Sequence, residues 1–369
     1  MKLSDFNYQI SQEQIAQFPM TERDSSKLLV THKSSNRFEH RIFRDIVSYF
    51  NPGDVLVLND TRVFPARLLG VKPSGGKVEI MLLKEVSTNT WEALVKGLRE
   101  GKVMLNRDII AHVSRLNGAS PRVSFQFSSS VGAGFKPSPP DIKNFLGKIG
   151  VIPLPPYIKR EAVLSDSEQY QTVYANKEGA IAAPTAGLHF TEQLLNLIKE
   201  NGVSVETITL HVGYGTFKPV MVNDIKEHKM DEESYTIPEA AAHAITRAKA
   251  EDRRVIAVGT TVTRALESSV GAGPCAFPMQ GQPQRVAPTK NGRNSGVITP
   301  GAGKTSIFIC PGYRFKIIDA LVTNFHLPKS TPMMLTSAFA GLNTLKQGYS
   351  EAQKAGYRFF SYGDAMLIL

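Results

Sequence analysis

Three histidines in this chain could transfer protons to or from a bound molecule: His189, His211 and His326. His189 follows the small or stiff residues 182–187, and a glycine-rich turn follows His211. Such residues let a backbone approach a ligand closely. Histidine suits acid and base catalysis because its reference pKa lies near neutrality. The alternative for each of the three is a structural role, with the ring buried and bonded to a backbone carbonyl.

The elements that position His189 and His211 are predicted from the spacing of apolar residues. Thr191 caps a helix with apolar positions at 194, 195 and 198, and this helix ends at 201–202. Residues 203–210 then alternate like a strand, which delivers His211 to its carboxyl end. Ligands bind at the carboxyl ends of strands in open α/β sheets. We therefore expect two strand–helix junctions that each present a histidine.

A second candidate segment lies earlier in the chain, where the buried-type strand 54–58 runs into a polar turn containing Asp60 and Arg62. Asp60 could orient a histidine or bind a ribose hydroxyl. The alternative is a carboxylate that only caps the turn.

Glycines, prolines and short alternating runs dominate residues 66–130, a pattern typical of an antiparallel barrel. The flanking regions alternate strands with helices. The sequence therefore predicts an α/β fold with a larger mixed α/β domain, 1–65 plus 151–369, and a small inserted antiparallel β-barrel domain, 66–150. Further predicted helices cover residues 42–50, 141–148, 238–250 and 259–266, and further predicted strands cover 254–258, 306–310, 315–321 and 365–369. Residues 269–303 are predicted to be a mobile loop.

Composition limits the classes of function. The 43 lysines and arginines against 33 acidic residues give a net charge of +10, which favours a polyanionic partner or only maintains solubility. The two cysteines form no metal-binding spacing, so we expect no metal. No apolar run approaches the length of a membrane span and no signal peptide is visible, which predicts a cytoplasmic protein without a membrane partner.

Several long motifs, taken together and in this order, carry a resemblance to one family. They are NDTRVFPAR from Asn59, PTAGLHF from Pro184, HVGYGTF from His211, GTT from Gly259 with RALE from Arg264, TNFHLPKS from Thr323 and YRFFSYGDAML from Tyr357. The chain resembles the S-adenosylmethionine:tRNA ribosyltransferase-isomerases of queuosine biosynthesis over nearly its whole length. It departs from the family pattern locally, at Lys27, Asp231 and Val262.

The resemblance implies a specific reaction. The ribosyl part of S-adenosylmethionine would be transferred to 7-aminomethyl-7-deazaguanine at the tRNA wobble position and isomerised, giving epoxyqueuosine-tRNA, while adenine and methionine leave. It also implies a monomer with a small β-barrel domain, no metal and no redox cofactor, in which S-adenosylmethionine is a consumed substrate. A base near the sulfonium would begin the rearrangement, and a proton donor would assist the departing adenine.

The motifs and this chemistry together give candidate site residues. The catalytic candidates are His189, His211, His326 and Asp60. The candidates for substrate binding are Thr185, Gly187, Gly213, Gly215, Glu233, Tyr235, Thr260, Thr261, Arg264 and Asn324. Arg62, Arg67 and Lys329 are candidates for tRNA phosphate, or alternatively for the methionine carboxylate. The alternatives are a solvated strand start for Glu233 and Tyr235 and a surface charge for Arg264.

A different class of function is also open. A non-catalytic basic RNA-binding protein would use the small β domain to read RNA structure and would keep the histidines as structural residues. A metal-free hydrolase built on His189 and Asp60 is weaker, because the chain lacks the G-x-S-x-G nucleophile motif.

Overall fold

The computed structural model describes residues 1–115, 120–128, 140–213, 215, 220–270 and 297–369. The strands are β1 (Lys27–His32), β2 (Arg37–Ile42), β3 (Val55–Asn59), β4 (Thr61–Val63), β5 (Arg67–Val71), β6 (Lys77–Ser87), β7 (Thr90–Lys96), β8 (Gly101–Met104), β9 (Ile109–Ser114), β10 (Arg122–Phe127), β11 (Gly150–Val151), β12 (Lys177–Ala180), β13 (Ser204–Leu210), β14 (Glu233–Ile237), β15 (Val255–Val258), β16 (Gly301–Thr305), β17 (Ala320–Asn324) and β18 (Ala365–Ile368). The helices are α1 (Lys143–Ile149), α2 (Asp166–Gln169), α3 (Glu192–Glu200), α4 (Glu239–Ala250), α5 (Thr260–Ser269), α6 (Thr331–Ala340) and α7 (Leu342–Lys354).

A large mixed sheet forms the centre of the α/β part. Among the described residues its order is β16-β14-β13-β3-β15-β17-β18-β1-β2. The four strands β13, β3, β15 and β17 run parallel to their neighbours within this set. Every residue of β3, β15 and β17 is buried, as expected for parallel strands that are covered on both faces.

The apolar side chains of β3 show how the two faces are covered. Leu56 and Leu58 belong to the core that contains the apolar side of α3. Val55 and Val57 belong to the core on the other face, with α4 and α5. Because successive side chains of a strand point to opposite faces, one strand connects both cores.

A closed antiparallel barrel forms the smaller part. In the described chain its order is β5-β6-β7-β10-β9-β8, and β8 pairs back with β5 through Met104 and Val71. Closure brings the two strands so near that a Cβ on Gly70 would lie 2.5 Å from Val103 Cγ1. The predicted α/β fold with an antiparallel barrel is confirmed. The barrel strands lie within 66–150, and the division of the chain into domains at these positions remains a prediction.

Most predicted elements are present, with three corrections. The helix predicted over 42–50 is a 3-10 helix, Phe43–Tyr49, whose first turn is closed by Asp45 accepting from the Ile42 amide at 3.1 Å. The strand predicted over 306–310 is wrong: Ile307 and Ile309 are buried there without a strand partner. The strand predicted over 315–321 begins only at Ala320.

Part of the predicted mobile loop is a strand instead. Gly301–Thr305 pairs antiparallel with β14, because backbone hydrogen bonds to a neighbouring strand outweigh a glycine-rich composition. A Cβ on Gly303 would lie 2.6 Å from Tyr235 Cζ, so the close pairing requires glycine here. The remainder of that prediction, residues 271–296, lies outside the described residues. No helix in the described part of the chain is long and apolar enough to cross a membrane.

Candidate active site

The carboxyl ends of the parallel strands meet at one edge of the large sheet. Asn59, the last residue of β3, holds its neighbours there: its Oδ1 accepts from the Leu210 amide at 3.0 Å and its Nδ2 donates to the Leu210 carbonyl at 3.0 Å. Nδ2 also lies 3.4 Å from Thr261 Oγ1 in the first turn of α5. One buried amide therefore links the ends of β3 and β13 to the start of a helix.

A cavity, here called the main cavity, opens beside these strand ends. Three segments, 182–186, 259–261 and 323–327, supply most of its lining. The other lining residues are Tyr157, Tyr170, Val212, Ser330, Pro332, Phe360 and Ser361. Five residues predicted from three separate motifs line it: Thr185, Thr260, Thr261, Asn324 and His326. Gly259 has a φ of 91°, a conformation that favours glycine, and it places the N-terminus of α5 on the cavity wall.

His326 is the predicted histidine that lines the main cavity. Its Nε2 lies 2.6 Å from Thr323 Oγ1, and its backbone is held by the hydroxyls of Tyr8 and Tyr349 at 2.6 and 2.8 Å. Burial lowers the pKa of His326 to about 3, so the ring is neutral at pH 7. Nδ1 makes no hydrogen bond to any residue that the structure describes.

His189 is buried, stacks on Phe43 with ring centroids 4.9 Å apart and has partners for both ring nitrogens. Asn324 Oδ1 accepts from Thr185 Oγ1 at 2.7 Å, so its Nδ2 donates to His189 Nε2 at 3.1 Å. The hydrogen of His189 is therefore on Nδ1, which donates to Ser26 Oγ at 2.7 Å. Burial, with a smaller contribution from Arg358 and Arg23, lowers the pKa of His189 to about 3.

A second cavity is lined by His189 and shares Ser361 with the main cavity. Two guanidinium groups stand in its wall, those of Arg23 and Arg358. Arg23 donates to the carbonyls of Gln171, Leu188 and Glu168. The charge of Arg358 is partly compensated by the Asp364 carboxylate, 3.9 Å away. Neither arginine was among the predicted site residues.

His211 and Asp60 lie together but do not line the main cavity. His211 Nδ1 lies 2.9 Å from Thr61 Oγ1, and Asp60 Oδ1 accepts from Thr209 Oγ1 at 2.6 Å. Burial lowers the pKa of His211, while the Asp60 carboxylate opposes this shift. His211 fits there because residue 179 is a glycine. A Cβ added at Gly179 would lie 2.7 Å from His211 Nδ1.

Glu233 and Arg264 form a buried ion pair between β14 and α5, through Oε2 and Nη1. The other carboxylate oxygen, Oε1, accepts from the Gly213 amide at 3.1 Å. Arg264 is only 7% exposed, so the alternative of a surface charge is wrong, while its role in substrate binding remains a prediction.

The remaining predicted substrate residues lie apart from the main cavity. Tyr235 packs against Gly303 on the sheet, and Gly187 faces Tyr174, whose hydroxyl would lie 2.0 Å from an added Cβ. Gly215 faces Asp231. Of the HVGYGTF motif, Tyr214, Thr216 and Phe217 lie outside the described residues.

The three basic candidates for tRNA contact differ in their surroundings. Arg62 and Lys329 are exposed. Arg67 is engaged with Glu79 in a two-pronged ion pair, with Nε–Oε1 at 3.0 Å and Nη2–Oε2 at 3.2 Å. Much of the charge of Arg67 is thus already compensated within the barrel.

Comparison with known proteins shows the family of this chain. The family model described as queuosine biosynthesis protein matches residues 3–368. The chain belongs to this family. It is 46% identical to the S-adenosylmethionine:tRNA ribosyltransferase-isomerase of Thermodesulfovibrio yellowstonii, with all of both chains covered. The corresponding protein of Clostridioides difficile is 45% identical, again over the full length of both chains.

A solved structure is also similar to this chain. The S-adenosylmethionine tRNA ribosyltransferase of Thermotoga maritima is 33% identical, and the match covers 99% of this chain and 100% of the other with a TM-score of 0.52. The family resemblance inferred from the motifs is therefore confirmed, and with it the α/β fold.

The sequence reasoning missed three residues that border the two cavities or contact their histidines. Ser26 receives the His189 hydrogen, Thr323 contacts His326, and Ser361 borders both cavities. Thr323 and Ser361 stand inside motifs that carried the resemblance, so the motif itself was an available signal. Ser26 lies next to Lys27, where the chain departs from the family pattern, but no local pattern connects it with His189, 163 residues away.

Among the described residues no group of three or more histidine, cysteine, aspartate or glutamate side chains could hold a metal ion.

Proposed function

We propose that this chain is an S-adenosylmethionine:tRNA ribosyltransferase-isomerase. It transfers and isomerises the ribosyl moiety of S-adenosylmethionine onto 7-aminomethyl-7-deazaguanine at the tRNA wobble position, with release of adenine and methionine. The observation that carries this proposal is the main cavity, where Thr185, Thr260, Thr261, Asn324 and His326 converge from three motifs of the family. The names of the full-length relatives support the same reaction.

In this proposal His326 takes the C5′ proton beside the sulfonium. A sulfonium acidifies the neighbouring C–H bonds, so the first step needs a neutral base within reach of the substrate. His326 lines the cavity and is neutral at pH 7. When Nε2 carries the hydrogen and donates it to Thr323, Nδ1 presents a free lone pair.

His189 has a different proposed role, because both of its ring nitrogens are occupied. It fixes the amide of Asn324, and Asn324 then directs Thr185 within the main cavity. His211 and Asp60 hold the end of β13, next to Val212 in the cavity wall. These three are therefore proposed as positioning residues, while His326 is proposed to contact the reacting atoms.

The remaining parts of the proposal concern the partners. Exposed Arg62 and Lys329 contact tRNA phosphate, with a smaller contribution from Arg67 because Glu79 pairs with it. The chain acts as a monomer in the cytoplasm, with residues 66–150 as the barrel domain and 1–65 plus 151–369 as the catalytic domain. Light scattering after size exclusion, with and without tRNA, tests the monomer.

The decisive experiment incubates the protein with S-adenosylmethionine and tRNA that carries 7-aminomethyl-7-deazaguanine, and follows adenine by chromatography. We expect adenine and modified tRNA in equal amounts, and no adenine with the same tRNA carrying guanine. Tight tRNA binding without adenine release would contradict the proposal and would favour the non-catalytic RNA-binding alternative.

A further inference from the structure

A smaller chamber adjoins the main cavity at the first turn of α5. The two share Thr260, Thr261 and Pro332 in their walls. The chamber then extends along Arg264 towards the segment 307–309. A molecule in the main cavity could therefore extend a short chain past the two threonines into this chamber.

The guanidinium of Arg264 in the chamber wall is incompletely satisfied. Nη1 pairs with Glu233 and Nε donates to the Ile307 carbonyl at 3.3 Å. Nη2 is buried and has no hydrogen-bond partner among the residues that the structure describes. Buried donors are normally paired, and a guanidinium pairs most strongly with a carboxylate or phosphate. A residue that lines the chamber thus has one donor left for an anionic oxygen.

Glu233 supplies the opposite charge beside it. Its carboxylate is buried and is held by the Gly213 amide at 3.1 Å as well as by Arg264. A fixed cation and a fixed anion, side by side, complement a ligand that carries both charges on one carbon. An α-amino acid has this pattern, with a carboxylate for Arg264 and an ammonium group for Glu233.

Apart from Thr331, the rest of the chamber wall is apolar. Ile307, Ile309 and Leu335 line it, and Met230 adds a flexible thioether. Such a surface suits an unbranched aliphatic chain that carries sulfur. A free phosphate has no apolar group that could contact these side chains.

We infer that this chamber binds the amino-acid end of S-adenosylmethionine, with Arg264 on the α-carboxylate and Glu233 on the α-ammonium group. The adenosyl part then lies in the main cavity, where His326 faces the ribose side of the sulfonium. This inference rests on the proposed function, since it names the position of that substrate. It makes the Arg264–Glu233 pair the determinant of selectivity for the intact amino acid.

The test compares S-adenosylmethionine with its decarboxylated analogue, which keeps the sulfonium and adenosine but lacks the carboxylate. Binding to the protein alone is measured by calorimetry, and turnover is measured by adenine release with the modified tRNA. A site built for a charged hydrogen bond rejects an analogue without that group, so we expect the wild type to prefer the intact substrate by ~10–100-fold in Kd and KM.

The variant Arg264→Met retains the length of the side chain and removes the guanidinium. We expect weaker binding of S-adenosylmethionine and unchanged binding of the decarboxylated analogue. The ratio of the two Kd values should then be near one. The double variant Arg264→Met/Glu233→Gln leaves no unpaired buried charge. It is used for the binding measurements if the single variant has a much lower Tm than the wild type. Arg264→Lys should recover only part of the preference, because an ammonium group lacks the separate, fixed nitrogens with which the guanidinium holds Glu233 and the ligand at once.

Two results would overturn the inference: a wild type that binds both compounds equally, or an unchanged preference in a folded variant without the guanidinium. Failure of the proposed function gives a different pattern. In that case the wild type still prefers S-adenosylmethionine in calorimetry, and no adenine appears with the modified tRNA.

Discussion

Asn324 joins two distant segments of the site, because its Nδ2 lies 3.1 Å from His189 Nε2 while its Oδ1 accepts from Thr185. This contact fixes the neutral tautomer of His189 and the orientation of the amide at once. The two residues should therefore act as a unit in catalysis. We expect His189→Ala and Asn324→Ala each to lower the single-turnover rate, and the double variant to lose less than the sum of the two barrier increases.

Double-mutant cycles measure this coupling. Residues in contact within one network usually show coupling energies of about 0.5–3 kcal/mol. His189→Ala should also reduce the free energy of unfolding by roughly 1–3 kcal/mol, since it removes packing against Phe43 and leaves Ser26 without its donor. Additive losses in rate would show that His189 acts independently of Asn324.

His326 should behave as a proton-transfer residue. Removal of such a group typically costs ~10²–10⁴ in rate, so we expect His326→Gln to lower the single-turnover rate by this factor with little change in the Kd for S-adenosylmethionine. The matched control is His243→Ala on α4, where the histidine is exposed. A His326→Gln enzyme that keeps the wild-type rate per folded molecule would place the base elsewhere.

The stability of the protein should fall on mild acidification because His189 is buried in its neutral form. Its pKa is about 3 in the folded chain and 6.5 in the reference state, so the unfolded chain binds more protons between these values. The stabilisation is complete above pH 6.5 and is lost as the pH falls towards 3. At pH 5 the loss from this one group is about 2 kcal/mol.

Urea unfolding at pH 7.5 and pH 5 checks this expectation. His189→Gln should show a smaller difference between the two pH values than the wild type, because the titrating ring is gone. An equal difference in both proteins would mean that other groups cause the acid sensitivity.

Binding of tRNA should weaken steeply with salt if exposed basic residues contact phosphates. Each lost phosphate contact reduces the slope of log K against log salt by about 0.7–0.9. We expect this reduction for Arg62→Ala and Lys329→Ala, and a smaller one for Arg67→Ala because Glu79 already compensates that charge.

The control for the salt series is Arg253→Ala. Arg253 is exposed two residues before β15, at the opposite edge of the sheet from the site. Its replacement changes the net charge equally and should leave the salt slope unchanged. Equal effects of all four substitutions would indicate that the +10 charge acts as a whole, without specific contacts.

Local patterns determined much of the secondary structure. The helix α3 was predicted from Thr191 and its apolar spacing, and the Thr191 side chain does accept from the Leu194 amide at 3.1 Å. Capping and helical periodicity involve residues three or four positions apart, so the sequence alone contains them. The strand Gly301–Thr305 was missed for the converse reason, since its stability comes from pairing with β14.

The motifs also determined the family and the types of residue in the site, but only the tertiary structure decided which of them share a cavity. His189, His211 and His326 have equal claims in the sequence, yet His326 lines the main cavity, His189 is tied to Ser26 and Asn324, and His211 faces Thr61. These contacts span 150 residues or more in two cases, and the order of strands in the sheet sets them. The spacing of residues in the sequence does not determine that order, because the pairing of the strands depends on which buried faces fit together in the folded chain.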